Sequence, residues 1–212
     1  MLKIELEKNQ NIWFSSDFHY HHKNICSGVS RWGGESRTRP FNTLEEMNDT
    51  IVNNINNCVK ENDWLIGLGD FAFGGVNYIP EFRGRINCKN IIWIIGNHDH
   101  NIENNRDNVM SLFTKVFHYC ELEVTRNEHK QKFVLCHYPI ASWNGLRKGV
   151  VHLHGHVHFP ENLRIGPGKM MDVGVDGHPE FRPYSYNEVM SFMNKNPLVS
   201  FFVLDTERYK FE

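Results

Sequence analysis

The stretch Ile91-Ile92-Trp93-Ile94-Ile95-Gly96-Asn97-His98-Asp99 constrains this chain more than any other. An uninterrupted apolar run of this kind, closed by a glycine and three side chains able to hold a metal or a proton, predicts a buried strand that empties into a site. Open α/β sheets gather their chemistry at the carboxyl ends of such strands. Four other apolar runs end in the same way. Ile12-Trp13-Phe14 leads to Asp17-Phe18-His19, and Trp64-Leu65-Ile66 leads to Gly69-Asp70. Phe133-Val134-Leu135 leads to Cys136-His137, and Val150-Val151 with Leu153 leads to Gly155-His156-Val157-His158. Five strand ends offering Asp, His and Asn in this order predict a centre for two metal ions.

A chain of 212 residues can bury a full core and suits one α/β domain over residues 1–212. The net charge of −2 and the lack of a basic stripe argue against nucleic acid as the main partner. Five cysteines, odd in number and without C-x-x-C spacing, predict reduced thiols rather than disulfides or a cysteine zinc site. Residues 1–7 alternate apolar and charged side chains, unlike a signal peptide, and no run approaches the length of a bilayer span. The expectation is a cytoplasmic protein with no membrane partner.

Strands are predicted at residues 2–7, 11–16, 63–67, 116–124, 132–136, 171–176 and 199–204, besides the opening run. Thr43 and Glu46 form a capping box ahead of the stripe Leu44, Met47, Ile51, Ile55 and Val59, which predicts a helix with one buried face. Ser185 and Glu188 form a second such box. A further short helix falls within residues 76–86, near Pro80, and residues 100–108 read as loop. Strands alternating with helices imply a layered α/β domain.

Asp17 and His19 stand two apart on what reads as an extended strand end, so their side chains are expected to point the same way. The polar loop after them carries Arg31, Arg37 and Arg39, candidates for clamping a phosphate by bidentate hydrogen bonds. Trp143 is a candidate platform for stacking a base, or else a packing residue. His152 and His154 read as packing residues or partners of ligands, and His100 as a loop histidine without a role.

The ordered set D-x-H, G-D, G-N-H-D, H and G-H-x-H resembles the calcineurin-like metallophosphoesterase superfamily over about residues 12–158. His22-Lys23-Asn24-Ile25, Arg39-Pro40-Phe41, Glu45-Glu46-Met47-Asn48 and Leu68-Gly69-Asp70-Phe71-Ala72 look like its small bacterial and phage-type branch of predicted phosphoesterases. The resemblance implies an α/β/β/α sandwich of two mixed sheets flanked by helices, with metals on the loops at one edge. Carried over position by position, Asp17, His19 and His158 would hold one divalent ion, Asn97, His137 and His156 the second, and Asp70 both. Oxygen and imidazole donors suit manganese, which is favoured, or iron, zinc, nickel or magnesium. The implied activity is phosphoester hydrolysis by a hydroxide bridging the two ions, with no protein nucleophile. His98 would protonate the leaving group and Asp99 would orient His98. A small nucleotide-like phosphodiester is the expected substrate. The alternatives are a phosphomonoesterase or protein phosphatase, and, in a different class, a metal-binding interaction module without turnover.

Overall fold

The alternation of side chains along a strand decides how this chain is layered. In the central parallel strands, Leu65, Ile91 and Trp93 belong to one apolar cluster, and Ile66, Ile92 and Ile94 to another. Both faces of this sheet are therefore buried. A computed structural model describes residues 1–26, 39–105 and 109–199. In chain order its elements are β1 (Leu2–Glu5), β2 (Ile12–Ser15), α1 (Leu44–Cys58), β3 (Trp64–Gly67), α2 (Tyr78–Arg85), β4 (Asn90–Ile94), α3 (His100–Asn104), β5 (Lys115–Phe117), β6 (Tyr119–Arg126), β7 (His129–Cys136), β8 (Val151–His154), β9 (Met170–Asp172), β10 (Tyr184–Ser185) and α4 (Tyr186–Lys195).

They form two mixed five-stranded sheets, ordered β10-β2-β3-β4-β5 and β1-β6-β7-β8-β9. In the first, β2 to β5 run parallel and β10 is antiparallel at the edge. In the second, only the β6-β7 hairpin is antiparallel. Phe14, Ile66, Ile92 and Ile94 meet Leu122, Val124, Phe133, Leu135, Leu153 and Met171 in the layer between the sheets, joined by Val189 and Met193 of α4. The opposite face of the first sheet packs against Met47, Ile51 and Ile55 of α1 and Ile79 and Phe82 of α2. The architecture is thus a layered α/β sandwich with flanking helices.

The helix caps read from sequence are present. The Thr43 Oγ1 accepts from the Glu46 N–H at 3.0 Å, while the Glu46 carboxylate reaches back to the Asn42 N–H, also at 3.0 Å. Ser185 and Glu188 complete their reciprocal pair. Two expectations differ. The 171–176 segment is strand only to Asp172, after which the chain crosses to the first sheet, where Gly174 bridges Ser16 and the Val175 N–H donates to the Ser16 carbonyl. Residues 100–104 are helical because Ile102 is buried and its N–H finds the Asp99 carbonyl at 2.8 Å. Most of the final predicted strand, residues 200–204, lies outside the described residues. Among the described residues no helix is long and apolar enough to cross a membrane.

Candidate metal centre

Strands β2, β3, β4, β7 and β8 all stop just short of the residues singled out as ligands, and the turns that follow are sharp. Asp17, His19, Asp70, His156 and His158 have φ of 56°, 48°, 58°, 72° and 52°, the left-handed region that residues with a Cβ rarely enter. Each such residue costs on the order of 1–3 kcal/mol unless its surroundings enforce it, and such residues cluster at functional sites. Asp17 and His19 therefore do not lie on an extended strand end as expected. The strand β2 ends at Ser15, and two hydrogen bonds hold the turn, from the Asp17 N–H to the Gly69 carbonyl and from the His19 N–H to the Asp70 carbonyl, both 2.9 Å. Gly69 has φ +103°, and a Cβ there would come within 2.2 Å of the His137 Nδ1. The backbone at this point must pass directly beneath a histidine ring.

These turns bring the seven predicted ligands together. The Nε2 atoms of His19 and His158 are 3.2 Å apart, and the Asp17 Oδ1 lies 3.6 Å from the latter. The Asp70 Oδ2 stands between the two histidine groups, 3.4 Å from the His19 Nε2 and 3.6 Å from the His137 Nε2. The Asn97 Oδ1 touches the His137 Nε2 at 2.8 Å and the His156 Nδ1 at 2.9 Å. Two overlapping groups, Asp17-His19-His158 and Asp17-Asp70-His137, place ligand atoms within 4.8 Å of one another. Asp17, His19, Asp70 and His137 are buried, while Asn97 and His156 are exposed, so the cluster opens to solvent on their side.

Partners behind the ligands fix which nitrogen faces the centre. The His137 Nδ1 is 2.7 Å from the Leu68 carbonyl, and the His158 Nδ1 is 2.8 Å from the Asp176 Oδ2, so each Nδ1 donates to these partners and Nε2 is the nitrogen turned toward the cluster. The His19 Nδ1 meets the Nδ1 of buried His22 at 3.1 Å, and His22 stacks on Phe73 with centroids 3.7 Å apart. The buried Asp172 accepts from the Gly174 and Phe159 N–H groups, bracing the loop that carries His156 and His158. His22, Asp172 and Asp176 were not assigned these tasks from the sequence. Their signal is spatial, since nothing in the one-dimensional pattern distinguishes Asp176 from any other acid in a turn.

Burial together with the neighbouring Asp17 carboxylate pushes Asp70 up to about 8. Burial would lower His158, but Asp17 and Asp176 outweigh it and raise its pKa to about 9. Burial, with His158 adding to it, holds His19 well below the usual imidazole range. The free protein thus answers two close carboxylates by holding protons among them.

Several remaining assignments are corrected. Arg39 is no phosphate clamp: it is 2% exposed and its guanidinium faces inward onto Asp176 and the Asp17 and Phe18 carbonyls. Arg31 and Arg37 lie outside the described residues. Trp143 is a packing residue and offers no open face, being buried with Val134, Leu146 and Met170 while its Nε1–H donates to the Val150 carbonyl. Asp99 does not orient His98. Its carboxylate is saturated by the N–H groups of Asp70, Phe71 and Gly96 and the Trp93 Nε1–H, at 2.8–2.9 Å, so it ties the Asp70 turn to the Asn97 turn. The His98 ring sits at the rim, 5.4 Å from the His19 ring and 5.3 Å from Phe73, with no ring hydrogen bond among the described residues. Burial lowers its pKa, so the imidazole rests neutral. His152 donates or accepts only main-chain hydrogen bonds and His154 is buried, in keeping with packing roles.

No family model matches the chain. The uncharacterized protein MJ1445 of Methanocaldococcus jannaschii is 29% identical over 195 residues, covering 90% of this chain and 95% of that protein. The crystal structure of the protein of unknown function AQ665 from Aquifex aeolicus superimposes with a TM-score of 0.61 at 21% identity, covering 87% of this chain and 100% of the other. The second likeness shows a shared fold.

Proposed function

We propose that this chain is a metal-dependent phosphoesterase of the calcineurin-like kind, and within that class a phosphodiesterase acting on a small nucleotide-like substrate. One observation carries the reading: five left-handed residues in three turns aim carboxylates and imidazoles from distant parts of the chain at one cluster. Asp17, His19 and His158 would hold one divalent ion, Asn97, His137 and His156 a second, and Asp70 both. The donors fit such ions. Among the described residues no lysine or arginine hydrogen-bonds the Asp17 or Asp70 carboxylate; the backbone N–H of His156 donates to the first and that of His98 to the second. Oxygen, amide and imidazole ligands without thiolate suit manganese first, and iron, zinc, nickel or magnesium equally in kind. Bound there, the ions would supply Lewis acidity to a phosphoryl group and a water of lowered pKa.

The chain's own side chains divide the remaining work. Ser16, the hydroxyl next to Asp17, is fully buried and donates to the Leu68 carbonyl at 2.8 Å, so it holds the turn and is no nucleophile. His98 is neutral at rest and stands at the open rim. An anionic phosphoryl group beside it would raise its proton affinity, placing a proton within reach of the leaving oxygen. Tyr138, 44% exposed, stands edge-on to His156 at 4.7 Å and to His137 at 5.0 Å between ring centroids. It takes the place Trp143 does not fill, offering a face on which a base can stack. Five free cysteines fit a reducing compartment such as the cytoplasm.

The test is turnover of an aryl phosphodiester and an aryl phosphomonoester by manganese-loaded protein. Diester hydrolysis should dominate and His98→Ala should slow it about 10²–10⁴-fold. Monoester preference would move the reading to a phosphomonoesterase or protein phosphatase. Bound metal without turnover of either would leave a metal-binding interaction module.

A further inference from the structure

Arg39 is placed unlike the rim arginine of a phosphate site. It enters beside the Asp17 turn because its own N–H donates to the Ile25 carbonyl at 2.7 Å, where Cys26 and Arg39 form a parallel bridge. Its side chain is then surrounded by acceptors. The Nε donates to the Asp176 Oδ1 at 2.8 Å and Nη2 to the Asp176 Oδ2 at 3.0 Å, a side-on fork onto one carboxylate. Nη1 donates to the Phe18 carbonyl at 2.8 Å and Nη2 to the Asp17 carbonyl at 2.5 Å. The Asp176 Oδ2 in turn accepts from the His158 Nδ1 at 2.8 Å.

We infer that Arg39 is a positioning residue which, through Asp176 and the carbonyls of Asp17 and Phe18, presets Asp17, His19 and His158 as one rigid metal-binding unit. The inference rests on the metal-centre reading above and concerns residues that touch neither the ion nor the substrate. Two independent hydrogen-bond sets converge on one guanidinium. The first, at Asp17 and Phe18, holds the left-handed stretch that aims Asp17 and His19 inward. The second fixes Asp176, which fixes the ring of His158. Only a planar five-donor cation can serve both at once, and an ammonium would have to abandon one of them. The structure therefore couples ligands contributed by residues 17–19 to one contributed by residue 158 through a group that binds no ion.

The experiment is calorimetric titration of Mn²⁺ into metal-free protein, with elemental analysis, for the wild type, Arg39→Lys, Asp176→Asn and the double variant. Co²⁺ is titrated in parallel and its visible absorption read. Each single variant should lose about 10–100-fold in affinity at one of the two positions and shift the Co²⁺ spectrum, since partners behind a ligand carry effects of this size. The double variant should be little worse than the poorer single one, because both residues act as a unit. Asp176→Asn keeps the side chain's shape, so it maintains the test should Arg39→Lys fail to fold. Asp63→Asn is the control: a carboxylate buried more deeply than Asp176, bonded to the Asn11 and Lys60 N–H groups and the Trp13 Nε1–H, at the far end of the first sheet. It should lower stability and leave metal affinity alone. Wild-type affinity and spectrum in both Arg39→Lys and Asp176→Asn would overturn the inference while leaving the metal centre standing. A wild-type protein that takes up no ion would overturn the metal-centre reading itself, and this inference with it.

Discussion

Gly155 shows how little room the centre leaves. A Cβ there would come within 1.9 Å of the Ser16 Oγ and 2.3 Å of the Asp17 Oδ2, so Gly155→Ala must displace Asp17, a proposed ligand, or the turn beneath it. The expected result is a loss of about 1–3 kcal/mol in stability, the usual scale of overpacking, together with fewer than two ions bound per chain by elemental analysis. Asp99 yields a contrasting expectation. Four donors converge on its buried carboxylate, so Asp99→Asn leaves at least one N–H facing an amide nitrogen. Denaturant titration should register a loss of about 1–3 kcal/mol. Were Asp99 instead the orienting partner of His98, the variant would lose turnover at unchanged stability, and that outcome would contradict the contacts described here.

Helices and strands respond to more local physics. α1 and α4 begin at side-chain caps that were legible from four-residue patterns, because a capping box is a contact between near neighbours in the chain. Thr43→Ala and Ser185→Ala should each cost about 1 kcal/mol by thermal or denaturant unfolding. Neither touches the centre, so metal stoichiometry should be unchanged in both, and a lost ion in either would mean that the helices do more than support the sheet. The strands were legible as apolar runs for a similar reason: β3 and β4 are buried on both faces and so contain no alternation to obscure them. Where they ended was less legible. Left-handed turns at Asp17, Asp70 and His156 were not legible because distant partners hold them: the Asp17 N–H donates to the Gly69 carbonyl, the Asp70 N–H to the Asp99 carboxylate and the His156 N–H to the Asp17 carboxylate.

At the scale of the whole molecule, the concentration of charge at one edge links stability to pH. Asp70 is raised from 3.8 to about 8, so the folded metal-free protein holds a proton that the unfolded chain releases near pH 4. Its contribution is complete below pH 4 and is lost as pH rises toward 8. His158, raised from 6.5 to about 9, contributes stability below pH 6.5 that is lost as pH climbs through 9. Lowered histidines such as His19 and His98 pull the other way, so the test isolates Asp70: with a chelator present, Asp70→Asn should lose less melting temperature from pH 6 to pH 8 than the wild type. Added Mn²⁺ should restore more stability at pH 8 than at pH 6, because ligands must shed these protons before a cation can take their place. An unchanged pH dependence in metal-free Asp70→Asn would show that Asp70 does not hold a proton in this way.

Residue order alone determined the layered α/β class, the strand cores and two helix starts, because each depends on periodicity or on neighbours a few positions apart, whereas the seven candidate ligands came from the resemblance to the metallophosphoesterase pattern. Tertiary structure alone decided that Arg39 points inward, that Asp99 braces two turns rather than a histidine, that Trp143 is packed away, and that His22, Asp172 and Asp176 stand behind the ligands. The Asp172 and Asp176 partnerships, including the fork from Arg39, arise where the chain leaves β9 and crosses to Ser16 on the other sheet. A contact between residues far apart in sequence is set by how sheets stack and where turns reverse the backbone, and the one-dimensional pattern carries no trace of either.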